Sequence, residues 1–178
     1  INNYYYLIII TLSILLSILL ILGLLEFYNH NYNLNRIACR IHVNGARGKS
    51  SVTRLIAAGL RAGGIATMAK TTGSAPRIIN KEGEDLVIHR LRSASIGEQV
   101  KFIRNFAKQK IEALVIECMA VHPQYQWIAE HKMIQSTTSV ITNVRPDHLD
   151  EMGYTMTDIA YSLSNTIPFN GTLITAER

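Results

Sequence analysis

The strongest constraint on how this chain folds is the string Gly45-Ala46-Arg47-Gly48-Lys49-Ser50-Ser51. A strand-like run, Ile37–Val43, precedes the string, and an amphipathic run typical of a helix follows it from Ser50 to Ala62. Glycines at a strand-to-helix junction let backbone amides approach a phosphate group, and the helix N-terminus adds a partial positive charge. The string therefore predicts a phosphate loop within an α/β domain.

Each residue type in this loop has a task in binding a nucleoside triphosphate. Lys49 would reach the β- and γ-phosphates, and the Ser50 hydroxyl would ligate Mg²⁺. The loop is shorter than the common form, because Val43 occupies the position of the usual first glycine and Gly45 takes its place. We therefore expect ATP and Mg²⁺ as cofactors, with all residues of the string in the nucleotide site.

The rest of the chain alternates strand-like runs with helix-length amphipathic runs, which predicts crossover connections and a mostly parallel sheet. The predicted strands are Ile37–Val43, Ile65–Ala69, Ala113–Glu117, Ser139–Val144 and Thr172–Thr175. The predicted helices are Ser50–Ala62, Ser95–Lys110, Pro123–Lys132 and Thr155–Thr166. Residues Ser74–Asp85 are rich in glycine, proline and charge, so we predict an exposed loop or an excursion between units there.

Two local patterns refine these expectations. Ser95 and Glu98 have the spacing of a capping box, which predicts a helix that starts at Ser95. Arg40 and His42 interrupt the first strand, although a central parallel strand is normally apolar on both faces. We therefore expect the beginning of that strand to reach solvent.

The N-terminus predicts a membrane span. Tyr4–Leu25 is a run of 22 mostly apolar residues, and no charged residue occurs before Glu26. A helix of this length measures about 33 Å, against a hydrocarbon core of about 30 Å. A secretory signal peptide would need a basic start and a small-residue cleavage site, which are missing, and a buried core helix is rarely this long and apolar.

Flanking residues predict the orientation of this span. Aromatic residues lie near both ends, at Tyr4–Tyr6 and at Phe27 and Tyr28, as is typical of the two membrane interfaces. Arg36 and Arg40 follow the span and no basic residue precedes it, which favours a cytosolic location for the remainder. We expect an anchor at residues 1–28 in contact with lipid, a linker at 29–36 and an ATP-binding domain at 37–178.

The cysteines and the net charge exclude several other classes of protein. Cys39 and Cys118 lie far apart within predicted strands, so they form neither a metal-binding pair nor a disulfide framework, and a reduced compartment is expected. The net charge is +5, but the basic residues are scattered and are not interleaved with stacking aromatic residues. We therefore expect no binding to nucleic acid.

Three further segments lie at the ends of predicted strands, at the sheet edge where ligands of open α/β folds bind. They are Ile116-Glu117-Cys118-Met119, Lys70-Thr71-Thr72-Gly73-Ser74 and Thr142-Asn143-Val144-Arg145-Pro146-Asp147-His148-Leu149-Asp150. Taken one at a time, they have simpler explanations. A carboxylate at a strand end is often solvated or caps a helix, a histidine is often packed, and a glycine-containing segment is often only a turn.

Together with the short phosphate loop, these segments resemble the Mur ligase and folylpolyglutamate synthetase superfamily, whose T-N-x-x-x-D-H-L-D motif matches Thr142–Asp150. The fold implied is the central domain of a Mur ligase. The resemblance implies that the metal ligands are Ser50, Glu117 and His148. It also implies catalytic roles for Lys49 and His148, a nucleotide contact for Asn143, and orienting roles for Asp147 and Asp150. The residues implied near the γ-phosphate or the substrate are Thr71, Thr72 and Ser74.

Within this superfamily the chain is most similar to the ligase subunits of poly-γ-glutamate synthases. The membrane helix, the G-x-R-G-K-S form of the loop with Arg47, and the segment Ile116–Val121 carry this similarity. It implies an ADP-forming amide ligase that activates the γ-carboxyl group of glutamate as an acyl phosphate and extends poly-γ-glutamate for a capsule or exopolymer. The implied partners are glutamate, the growing chain and other membrane subunits of a synthesis and export complex in a bacterial plasma membrane.

Two departures from the superfamily pattern leave alternatives open. Many Mur-type ligases carry a carbamylated lysine after the D-H-L-D segment, whereas the last lysine here is Lys132, so a second metal is held differently or is absent. The chain ends at Arg178 just after a predicted strand, and we expect it to be C-terminally incomplete and inactive alone. The alternatives are a membrane-tethered ATPase that regulates a partner complex and a non-catalytic nucleotide-binding fragment.

Overall fold

The computed structural model describes residues 2–73, 75–88 and 95–177, with side chains described from Tyr4 onward. The chain divides into two compact units, Ile1–Tyr32 and Asn33–Arg178. Helix α1, Asn2–Asn35, forms the first unit and extends into the second.

Helix α1 is long and apolar enough to cross a membrane. Two hydroxyl side chains in its apolar stretch bond within the helix, because the Thr11 hydroxyl donates to the Leu7 carbonyl at 2.9 Å and the Ser17 hydroxyl donates to the Ser13 carbonyl at 2.8 Å. Such internal pairing is what a hydrocarbon environment requires of polar groups.

Most of the predicted linker at 29–36 is helical, because α1 continues through Asn35. Asparagine-rich sequence has low helix propensity, but packing outweighs propensity here. Leu34 and Ile37 are fully buried in a core cluster of the second unit, with Ile103 and Phe106.

The second unit is built on a seven-stranded sheet of order β4-β3-β2-β5-β1-β6-β7. The strands are β1 Cys39–Asn44, β2 Thr67–Thr71, β3 Arg77–Ile79, β4 Asp85–Val87, β5 Ala113–Glu117, β6 Thr138–Ile141 and β7 Thr172–Thr175. The five strands expected from the sequence are all present and run parallel, whereas β3 and β4 are antiparallel. This confirms the predicted α/β class with a mostly parallel sheet.

Of the two alternatives predicted for Ser74–Asp85, the exposed loop was wrong, because the segment contains β3 and the first residue of β4. Ile79 is buried against the core, and its main chain pairs with Ala69 of β2. The turn between the two strands is closed by Asn80, whose amide and side-chain oxygen both bond to Glu84. Pairing with an existing sheet stabilises strands too short to be recognised by periodicity.

Helices cover both faces of the sheet. They are α2 Lys49–Ala62, α3 Glu98–Lys108, α4 Pro123–Ile128, α5 Leu149–Met152 and α6 Met156–Ser164, and a π-helix, Ala129–Ile134, continues α4. The capping box predicted at Ser95 was wrong, because α3 begins at Glu98 and the Ser95 hydroxyl accepts from the amide of Gly97. A capping box is present instead at Thr155 and Asp158, at the start of α6.

The two sheet faces differ in chemistry along β1. Ile41 and Val43 pack towards α2 in a purely apolar cluster, with Ala57 and Val115. On the opposite face, towards α4 and the π-helix, the strand presents polar side chains. The beginning of β1 is half-buried, as the sequence led us to expect, but His42 is fully buried.

Candidate functional site

The phosphate loop lies between the end of β1 and the start of α2. Gly45 and Gly48 have φ values of +131° and +79°, a region that residues with a Cβ rarely adopt. Lys49 begins α2, and its ammonium group donates to the carbonyl oxygens of Gly45 at 2.7 Å and Ala46 at 3.3 Å. No described side chain caps the first amides of α2. The loop therefore combines helix-terminal N–H groups with a lysine lying over it, which suits an anion.

The loop packs directly against the segment that follows β6. A Cβ added to Gly45 would collide with the Thr142 hydroxyl and would lie 2.9 Å from the Thr142 amide nitrogen. The Ala46 amide donates to the Asn143 carbonyl oxygen at 3.0 Å. Glycine at position 45 is therefore required by space as well as by backbone conformation.

Replacing Gly45 by alanine is expected to weaken ATP binding at least about tenfold. The unfavourable φ alone costs about 1–2 kcal/mol, and relieving the collision with Thr142 displaces the loop. Calorimetric titration with ATP measures the effect. Gly59→Ala is the matched control, because a Cβ at Gly59 meets no atom within 4 Å, and it should leave affinity unchanged and raise stability by about 1 kcal/mol. Unchanged affinity in Gly45→Ala would contradict this account of the loop.

Two of the three predicted metal ligands are adjacent. Glu117, at the end of β5, is 3% exposed, and its Oε2 atom accepts from the Ser50 hydroxyl and from the Thr72 amide, both at 2.8 Å. A hydroxyl and a carboxylate are the hard oxygen donors that Mg²⁺ prefers, and Mg²⁺ needs only one or two such ligands beside water and phosphate. The donor chemistry of this pair therefore fits the ion.

The threonine-containing segment reaches the same place. Thr71 is buried at the end of β2, and Thr72 contacts Glu117 through its amide. Ser74, which we also assigned to this segment from the sequence, lies outside the described residues. The carboxyl ends of β1, β2, β5 and β6 thus bring the phosphate loop and three later segments to one edge of the sheet.

His148 lies in a more exposed part of this edge. It has a φ of +46° at the start of α5 and is half exposed, and its Nε2 atom is 3.9 Å from Asp147 Oδ1. The same carboxylate oxygen is 3.3 Å from the Arg47 guanidinium, whereas Asp150 accepts from the Tyr154 hydroxyl at 3.3 Å. Among the described residues, no three His, Cys, Asp or Glu side chains are grouped to hold a metal ion. The structure therefore joins His148 to the phosphate loop through Asp147 and Arg47.

A cleft of about 690 Å³ begins two residues after Glu117. It is lined by Met119–His122, Tyr125, Glu151 and residues 95–96. The cleft is open and partly apolar, and part of its lining comes from the segment that follows β5.

A buried ion pair beneath β1 was not foreseen from the sequence. His42 Nδ1 lies 2.8 Å from Glu130 Oε2, both side chains are fully buried, and Glu130 Oε1 accepts from the amide and hydroxyl of Ser136. Burial alone would lower the pKa of His42, but the Cys118 sulfur and the Glu130 carboxylate outweigh it and raise the pKa to about 9. The sequence did contain one sign of this pair, because polar residues alternate with apolar ones along β1. Such alternation indicates that one face of the strand packs through hydrogen bonds.

Comparison with known families and proteins agrees with this arrangement. Residues 43–174 match the model of the Mur ligase middle domain. The capsule biosynthesis protein CapB of Bacillus anthracis is 43% identical over 161 residues, which cover 89% of this chain and 35% of that protein. The PGA synthase CapB of Bacillus subtilis (strain 168) is 39% identical over 165 residues, covering 92% of this chain and 42% of that protein. The chain therefore spans well under half the length of these curated relatives.

Solved structures share the fold at lower identity. An FPGS-AMPPCP complex has a TM-score of 0.58 and 20% identity over 85% of this chain and 43% of that chain. E. coli FolC in complex with DHPP and ADP has a TM-score of 0.60 and 15% identity over 85% of this chain and 41% of that chain. These matches establish the architecture around the phosphate loop.

Proposed function

Because this chain belongs to the Mur ligase family, we propose that it supplies the nucleotide-binding part of an ATP-dependent, ADP-forming amide ligase. The observation that carries the proposal is the Glu117 and Ser50 pair beside Lys49, since this pairing supplies oxygen donors next to a phosphate loop. The names of the two relatives, a capsule biosynthesis protein and a PGA synthase, support poly-γ-glutamate as the product.

The proposed reaction has two steps. A γ-carboxylate oxygen of glutamate, or of the growing chain, attacks the γ-phosphorus of ATP, and ADP leaves. The amine of a second glutamate then attacks the acyl carbon of the acyl phosphate, an amide bond forms and phosphate leaves. The cleft beside Glu117 is the proposed location of the glutamyl chain.

Residues of the phosphate loop perform the electrostatic work of this reaction. Residues 45–51 bind the phosphates of ATP, and Lys49 neutralises charge on the β- and γ-phosphates. Ser50 and Glu117 would hold Mg²⁺, which when bound neutralises charge that develops during phosphoryl transfer. His148 is the proposed further metal ligand and catalytic group.

The remaining assigned residues complete the proposed site. The Thr72 amide donates to Glu117, and Thr71 and Thr72 are proposed to lie close to the γ-phosphate or the substrate carboxylate. Asn143 belongs to the nucleotide site through its contacts with the phosphate loop.

The direct test is ADP release by the full-length protein with and without glutamate. A ligase releases ADP only when glutamate is present to accept the phosphoryl group. Release that is independent of glutamate would instead favour the tethered ATPase, and absence of nucleotide binding would contradict both functions.

Replacing Glu117 by glutamine is expected to raise the Mg²⁺ concentration for half-maximal ADP release at least about tenfold. The amide oxygen carries no net charge and is a weaker ligand for a hard cation. A magnesium titration of glutamate-dependent ADP release measures this change. Glu112→Gln, at an exposed residue before β5, is the control, and an unchanged magnesium requirement in Glu117→Gln would remove Glu117 from the metal site.

We also propose that α1 crosses a bacterial plasma membrane once and leaves the second unit in the cytoplasm, where it would meet membrane subunits for export. The candidate span within α1 is Tyr4–Asn35, which has 32 residues and contains a strongly apolar stretch. Exchanging Tyr4–Leu25 for a soluble leader is expected to release the protein from membranes and to abolish polymer export while ADP release persists. Export at the original rate would leave the anchor without a role.

A further inference from the structure

The side chain of Asn143 engages both main-chain groups of one phosphate-loop residue. Its Oδ1 atom accepts from the Arg47 amide at 3.1 Å, and its Nδ2 atom donates to the Arg47 carbonyl oxygen at 2.9 Å. The Thr142 hydroxyl donates to the same carbonyl at 2.7 Å. Both peptide groups flanking Arg47 are therefore fixed by the segment after β6.

These bonds determine which way the loop amides point. In a trans peptide the C=O and N–H groups point in opposite directions. Because the Arg47 carbonyl is held towards Asn143 and Thr142, the Gly48 amide of the same planar group points away from them. Asn143 and Thr142 thus set the orientation of the Gly48 amide, one residue before α2 begins.

Only a carboxamide of this length satisfies both groups at once. One atom must accept from an amide and the other must donate to a carbonyl, which Asn does and a carboxylate or a hydroxyl cannot do in that geometry. These contacts use one N–H of Nδ2 and one lone pair of Oδ1, so both ends of the carboxamide are bound to the main chain of the loop.

We infer that Asn143 is a positioning residue that aims the amides of the phosphate loop, and that it acts on phosphate rather than on the nucleoside. The inference rests on the proposed function only in taking a triphosphate as the ligand of the loop. It predicts that losing Asn143 weakens binding of any triphosphate, with or without a nucleoside attached.

The test compares ATP with inorganic triphosphate on the full-length protein in detergent micelles. Asn143→Ala is expected to raise the dissociation constants of both by the same factor, on the order of tenfold, because two hydrogen bonds that orient the loop are lost. Amide hydrogen exchange at Arg47 should accelerate, since its acceptor is removed. Asn170→Ala, at an exposed asparagine, is the matched control and should change neither constant.

A second variant keeps the test independent of how well Asn143→Ala folds. Thr142→Val removes one bond to the Arg47 carbonyl with little change in shape, and it should weaken both ligands equally but less. A loss confined to ATP would overturn the inference and assign Asn143 to the nucleoside. Unchanged constants for both ligands would also overturn it. Binding of neither ligand by the unmodified protein would overturn the proposed function together with it.

Discussion

Replacing Lys49 by alanine is expected to lower glutamate-dependent ADP release at least about a thousandfold in the full-length protein. The ammonium group lies over the loop, within hydrogen-bond distance of two loop carbonyls, at the N-terminus of α2. Removing one preorganised charge from a phosphoryl-transfer site costs about 4 kcal/mol, which corresponds to this factor. A coupled ADP assay at saturating ATP, with and without glutamate, measures the change.

The matched control for this variant is Lys101→Ala. Lys101 is an exposed lysine on α3, so its removal changes net charge equally without touching the loop. ADP release by Lys101→Ala should stay near that of the unmodified protein. Glutamate-dependent release that persists in Lys49→Ala would refute the ligase assignment of this loop.

Replacing Glu130 by alanine is expected to lower the free energy of unfolding by about 3–5 kcal/mol, because it leaves His42 buried without its ion-pair partner. The carboxylate also accepts two hydrogen bonds from Ser136, which are lost with it. The single tryptophan, Trp127, lies on α4 with its ring 5.0 Å from that of His131, so its fluorescence can follow unfolding in denaturant. Glu82→Ala, at an exposed turn residue, should change stability little.

The same pair predicts how stability depends on pH. The pKa of His42 is raised from 6.5 to about 9, so its contribution is complete below about pH 6.5 and is lost as the pH rises through 9. Burial alone would raise the pKa of Glu130, but hydrogen bonds and charge from His42, with Ser136, lower it. The contribution of Glu130 is therefore present above its unfolded pKa and is lost as the pH falls through the lowered value. Denaturant titrations at several pH values should show a fall in stability above pH 6.5 that shrinks in Glu130→Gln, and an equal fall in both proteins would contradict the pairing.

Much of the sheet could be predicted from the sequence because its parallel strands are apolar runs bounded by turns. Ala113–Glu117 and Thr172–Thr175 begin and end at the predicted residues. The β3 and β4 hairpin could not be predicted in this way, since each strand has only three residues and depends on pairing with β2. The π-helix could not be predicted either, because its Glu130 contacts His42, which lies 88 positions away in the sequence. Local sequence patterns do not report such a contact.

The sequence predicts which strand ends form the candidate site, but it does not predict how the side chains are oriented there. Parallel topology brings Glu117 and Ser50 to one edge, so their proximity follows from the strand order. The bidentate contact of Asn143 with Arg47 depends on a side-chain rotamer and on a loop conformation that local sequence does not encode. The left-handed backbone at His148 is likewise set by its surroundings, since only a few per cent of non-glycine residues adopt a positive φ.

The close contact between Gly45 and Thr142 restricts the order in which this protein can change during evolution. A side chain at position 45 has no room while Thr142 is present, although the two positions are 97 residues apart in sequence. Shortening residue 142 first would relieve only the collision with its side chain, because its backbone nitrogen would still lie 2.9 Å from the added Cβ. It would also remove a bond to Arg47 and leave the positive φ at position 45. Neither single step is neutral, so related sequences should retain both residues or exchange both together with a rebuilt loop.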